Sequence, residues 1–131
     1  METRERRKAV EHREQTPVPT WAIDLGVEIE GLHREPEWQT GISRKSLVRY
    51  PDFRINLIAI RGGMRIDEHQ NPGRISVQTI AGHIRMCALG KVFDLTRGKI
   101  LVLDRAVRHD VEALEDSAFL LTVSRPESMP G

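Results

Sequence analysis

From residue 41 onward, short apolar runs alternate with turn signals. SLVRY, FRINLIAI, ISVQTIA, HIRMCAL, KVFDL, KILVL, HDVEAL and FLLTVS have the β-branched and aromatic content and the length of strands. Between them stand Tyr50-Pro51-Asp52, Gly62-Gly63, Asn71-Pro72-Gly73, Leu89-Gly90-Lys91, Arg97-Gly98 and Glu115-Asp116-Ser117, whose Pro, Gly, Asn and Asp favour turns. Their spacing of about 8–12 residues predicts an all-β sandwich or barrel, and nothing in residues 41–125 competes as a helix. About eight strands in roughly 85 residues fit a jelly roll or small closed barrel, whose closure removes the exposed sheet edges.

The N-terminal third reads differently. Residues 1–20 scatter Met1, Ala9, Val10 and Val18 among Arg4, Glu5, Arg6, Arg7, Lys8, Glu11 and Arg13, too little apolar surface to offset the entropy of ordering. They predict a mobile arm or an exposed helix that ends before Pro17 and Pro19. Alternation of Val27, Ile29 and Leu32 against Glu28 and Glu30 predicts a strand within residues 21–45. That strand lies across the body of the fold or across a partner subunit, with Trp21 and Trp38 covering a core or a dimer seam. The division expected is an arm at 1–20, a strand segment at 21–45, a barrel at 46–125 and a tail at 126–131.

Composition narrows the setting. A chain of 131 residues is one domain, able to bury a core without covalent staples. One cysteine, Cys87, excludes an internal disulfide and a thiolate zinc cluster, which points to the reducing cytoplasm. With 20 Lys and Arg against 19 Asp and Glu, the net charge of +1 supplies no field for nucleic acid or an anionic membrane. METRERRKAVEHREQ lacks the apolar core of a signal peptide.

Two segments carry spaced chemistry. In the first, Gly63 is followed after five residues by His69, then Asn71, Ile75 and Gly82; in the second, Gly98 is followed by Asp104-Arg105-Ala106, His109 and Ala113. The spacings resemble the paired motifs of the cupin superfamily, in which Gly-x5-His-x-His is followed by Glu and Gly, and Gly-x5-Pro-x-Gly by His and Asn. Gly63, Gly82, Gly98, His69 and His109 match, whereas Asn71 replaces a histidine, Ile75 the glutamate, and Asp104 and Ala106 the Pro and Gly. EHQNPGRISVQTIAGHIRM and HDVEALEDSAFLLTV look like the small single-domain, RmlC-like cupins of bacteria, and the resemblance spans residues 46–124. It implies a cupin double-stranded β-helix, a jelly-roll barrel with an N-terminal extension, and assembly as a homodimer.

In metal-binding cupins three histidines and a glutamate hold a divalent ion. Carried over, only His69 and His109 remain, and catalytic sites usually need three protein ligands. Asn71 keeps the family's position and is the candidate third ligand. Either a divalent metal (Fe, Mn, Ni or Zn) sits here, or the two imidazoles form a metal-free pair in a pocket for an organic ligand. If Ile75 faces inward, so do Val77 and Thr79, while Gln78 faces out. Asp67, Arg74, Ile75 and Thr79 are the expected pocket residues. Asp67 and Glu68 either orient an imidazole or are solvated, and Arg65, Arg74 and Arg108 are available to an anionic ligand at the mouth. His83 reads as a surface residue and Cys87 as packing; His12 and His33 have no partner pattern. The expectation is a small-molecule-binding protein in a sensor or accessory role. The alternatives are a metal-dependent dioxygenase or isomerase at His69 and His109, or metal-free catalysis with one of them as general base.

Overall fold

A computed structural model describes residues 22–125. The arm at 1–20, Trp21, His12 and the tail at 126–131 lie outside the described residues. Two helices, α1 (Leu25–His33) and α2 (Glu37–Thr40), precede nine strands: β1 (Ile42–Arg49), β2 (Phe53–Ile60), β3 (Arg65–His69), β4 (Arg74–Ala81), β5 (His83–Ala88), β6 (Lys91–Thr96), β7 (Ile100–Leu103), β8 (His109–Ala113) and β9 (Ser117–Ser124). They form two antiparallel sheets, ordered β1-β2-β9-β4-β7 and β3-β8-β5-β6. This is the all-β jelly roll that the strand count and turn spacing predict, with each of the six turn signals between strands.

The sheets face each other across one core. Ile58, Ile60, Ile75, Val77 and Phe119 from the larger sheet meet Ile84, Met86, Leu95 and Val111 from the smaller. Along β4, Ile75, Val77 and Thr79 are buried while Arg74 is exposed, as period 2 requires. The framework glycines Gly63 and Gly98 adopt φ of 89° and 91°, backbone that a side chain disfavours.

The strand expected within residues 21–45 is not there. The Asp24 side chain accepts a hydrogen bond from the Val27 amide at 3.1 Å and caps α1, and capping residues of this kind stabilise a helix start. Leu25, Ile29 and Leu32 recur at helical spacing and turn to one cluster with Trp38, Leu47, Val48, Leu57 and Ala59. Val27, on which the alternation depended, is 57% exposed. Glycine ends α2: Gly41 has φ 116°, and a Cβ there would stand 2.6 Å from the Met64 methyl. β1 begins at Ile42, so a barrel boundary at residue 46 cuts a strand.

Both helices pack on the outer face of β1 and β2 of the same chain, with Trp38 buried beneath them. The His33 ring lies 4.4 Å from the Trp38 ring, and the Arg61 guanidinium sits 5.1 Å over its other neighbour, the indole centroid, a cation–π arrangement.

Candidate functional site

The antiparallel pairing of β3 with β8 places His69 directly across from His109. The two ring centroids are 4.2 Å apart, with the planes at 60°. Each ring is fixed by the backbone two residues before it: His69 Nδ1 lies 2.9 Å from the Asp67 carbonyl, and His109 Nδ1 lies 2.9 Å from the Val107 carbonyl. A carbonyl can only accept, so Nδ1 carries the proton in both neutral rings, and Nε2 is the nitrogen left with a lone pair. His109 is 3% exposed. Burial pushes its pKa below the ordinary imidazole value, aided by the neighbouring His69 and opposed by the Val107 bond and Asp110. It is therefore neutral at physiological pH.

A cavity of about 70 Å³ opens against this pair. Its walls are apolar, from Ile58, Ile66, Val77, Met86, Val111, Phe119 and Leu121, and its one charged lining residue is the exposed Arg44 of β1. A second cavity of about 130 Å³ shares Leu121 with the first and is lined by Phe53, Arg54, Asn56 and Asn71 among others. Cavities that enclose drug-sized ligands run to about 300 Å³ or more, so the inner chamber suits only a small group.

Several residues expected at the pocket are elsewhere. The Asn71 amide oxygen accepts from the Gly73 amide at 2.8 Å, holding the β3–β4 turn, and Asn71 lines the outer cavity instead of joining the histidines. Ile75 is 4% exposed in the core, off the cavity wall. Thr79 is fully buried, and its hydroxyl donates to the Leu95 carbonyl at 2.9 Å, tying the larger sheet to β6. The Asp67 side chain is 99% exposed, 3.9 Å from Arg65; only its carbonyl serves His69.

The expected mouth arginines are committed to carboxylates: Arg74 to Asp104 at 3.0 Å, Arg65 to Asp110 at 2.7 Å, and Arg108 to Glu68 at 3.2 Å. The Asp104 carboxyl is held below its ordinary pKa by the Arg105 amide and then by Arg74. His83 lies on the outer face of the smaller sheet, its Nε2 3.0 Å from Asp94. Asp94 has a lowered pKa because it bonds His83 first and Arg85 second. Arg44 is the residue that sequence reading missed. Its signal is the register: Arg44 pairs with Ile58, and Ile58 faces the core, but a strand started at Ser46 leaves Arg44 out.

The donor set does not fit the divalent metal that the resemblance implies. Two imidazoles remain, Ile75 has no ligating atom, and the Asn71 oxygen is already bonded. Among the described residues there is no group of three or more His, Cys, Asp or Glu arranged to hold a metal. The two imidazoles can instead accept hydrogen bonds at Nε2, beside an apolar wall.

No protein-family model matches the chain, and no curated protein does. Solved structures do. A conserved protein of unknown function from Streptococcus pyogenes aligns with a TM-score of 0.64 at 24% identity, over 69% of this chain and 79% of its own. A cupin superfamily protein from Desulfitobacterium hafniense aligns with a TM-score of 0.63 at 14% identity, over 65% of this chain and 78% of its own. The chain has the fold of the small cupin-type proteins. At these identities the likeness carries the fold, and the cupin barrel hosts many chemistries. KdgF from Halomonas sp. is a further structural neighbour, with a TM-score of 0.60 at 24% identity over 67% of this chain and 83% of its own. Among the described residues no helix is long and apolar enough to cross a membrane.

Proposed function

We propose that the barrel binds a small organic molecule without a resident metal, in a sensor or accessory role. The observation that carries this reading is the pair of cavity-lining imidazoles whose Nδ1 atoms are both committed to carbonyls. Any polar hydrogen the ligand carries is accepted at Nε2 of His69 or His109, and the ligand's apolar part packs against Ile66, Val77, Met86 and Phe119. Apolar walls with few convergent polar groups are the usual make-up of a small-molecule site. We further propose a cytoplasmic homodimer, on the single cysteine and on the resemblance to small cupins.

The same two Nε2 atoms favour one second reading, in which His69 and His109 hold Fe, Mn, Ni or Zn with waters in a dioxygenase or isomerase. Elemental analysis of tag-free protein, beside His69→Ala and His109→Ala carried through the same purification, separates the two. Background metal in all three, with the variants folded, is the expected result. Near-stoichiometric metal that disappears in both variants establishes the second reading instead.

A further inference from the structure

We infer that the ligand is a small monocarboxylate with a short apolar tail, its carboxylate taken by Arg44. The inference rests on the small-molecule reading above and names the class of molecule. Its starting point is charge. Arg44 is the one charged residue on the inner cavity, and among the described residues it makes no hydrogen bond or ion pair, unlike Arg65, Arg74 and Arg108, each paired with a carboxylate.

No Asp or Glu lines either cavity among the described residues. The nearest acidic side chains in sequence to the histidine pair are committed or turned away: Glu68 bonds Arg108, Asp110 bonds Arg65, and Asp67 is almost wholly in solvent. A cavity whose one charged lining residue is an arginine, with no carboxylate of its own, favours an anion over a cation. A guanidinium presents a planar fork that matches a carboxylate in two hydrogen bonds.

Size and lining settle which anion. The inner cavity of about 70 Å³ has seven apolar lining residues, so an anion with a short hydrocarbon tail gains by burying that tail there, which inorganic phosphate cannot do. The carboxylate then stays at the exposed Arg44 and the tail enters toward Met86 and Phe119.

Met86 provides the reporter. Protein labelled with 13C at its methionine methyls is titrated with butyrate, butyramide and inorganic phosphate, with Met64 as an internal reference outside the cavity lining. Butyrate is expected to shift the Met86 methyl saturably and at least tenfold more tightly than butyramide or phosphate. Arg44→Gln, at an exposed position, is expected to remove that preference by weakening butyrate at least tenfold while leaving butyramide unchanged. Equal binding of acid and amide, or butyrate binding unaffected by Arg44→Gln, overturns the inference and leaves the small-molecule reading standing. Phosphate binding as tightly as butyrate overturns the monocarboxylate assignment. If none of the three probes moves Met86, the inference fails; if, in addition, a screen of larger neutral ligands leaves Met86 unmoved, the small-molecule reading fails with it.

Discussion

The outer faces of the two sheets are built on opposite principles. On the larger sheet, Leu47, Val48, Leu57 and Ala59 turn outward and are buried under Leu32 and Trp38 of the helical segment. On the smaller sheet the outer face carries a ladder of charges: Arg65 with Asp110, and Arg85 and His83 with Asp94. The difference is written in the strands. β2, covered on both sides, ends in four consecutive buried residues, Leu57 to Ile60, whereas β5, wet on one side, alternates buried and half-buried positions along its whole length. A continuous apolar run in an antiparallel sheet signals that a second layer must cover it. Here that layer is α1 and α2.

The largest effect is expected where that cover is anchored. Trp38→Ala removes the buried indole from between the helices and β2, and truncations of this kind cost about 3–5 kcal/mol, a large share of the 5–15 kcal/mol typical of a domain. Urea denaturation of the variant measures it. A loss below about 1 kcal/mol would show that the helical segment merely rests on the sheet. The same packing changes what a deletion of residues 1–40 reports: it uncovers Leu57 and Ala59 in the truncated chain itself, so a change in association would reflect newly exposed apolar surface as readily as a lost subunit contact.

These two faces also explain what could be read in advance. The turns, eight of the nine strands and the inward set Ile75, Val77 and Thr79 were legible because period 2 and turn chemistry are local; β3, which carries His69, was not among the expected strands, because Arg65–His69 holds a single apolar residue, Ile66. The helical segment was not legible either, because Val27 and Ile29 alternate with Glu28 and Glu30 as a strand would; Leu32 falls out of that phase, and with Asp24 as a cap and Leu25 at the matching turn it decides for a helix. At the site, the motif spacing singled out His69 and His109, and the structure brings the two rings together on one cavity wall. The spacing could not place Asn71, whose amide has two competing uses and goes to the Gly73 turn. Nor could it show which arginines are consumed by Asp104, Asp110 and Glu68, because those pairings join strands distant in sequence.

The smaller sheet has a buried side too, and there a pH dependence should separate it from its charged outer face. His109 has a folded pKa below that of the unfolded chain, first through burial. Below about 6.5, the ordinary imidazole value, the unfolded chain therefore binds a proton that the folded one refuses. This contribution to stability is complete above that pH and is lost as the pH falls toward the folded pKa. Denaturation midpoints at pH 7.5 and 5.5 should drop toward acid in the wild type and drop less in His109→Gln. Identical slopes in the two proteins would mean that burial of this ring does not govern the dependence.

The smallest effect is expected on the outer face itself. Arg65 and Asp110 meet at 2.7 Å, yet the arginine side chain is 57% exposed, so water screens the pair and ordering the guanidinium offsets part of the attraction. A double-mutant cycle through Arg65→Ala and Asp110→Ala should give a coupling of about 0.2–1 kcal/mol, shrinking further in molar salt, where the Debye length falls to about 3 Å. Asp110→Ala alone should cost more than Arg65→Ala, since the same carboxylate also accepts from the Cys87 amide at 3.2 Å, and the cycle removes that shared part. A coupling of several kcal/mol would mean that the charged ladder holds the smaller sheet as firmly as the helices hold the larger one, and the contrast between the two faces would then be one of chemistry without a contrast in strength.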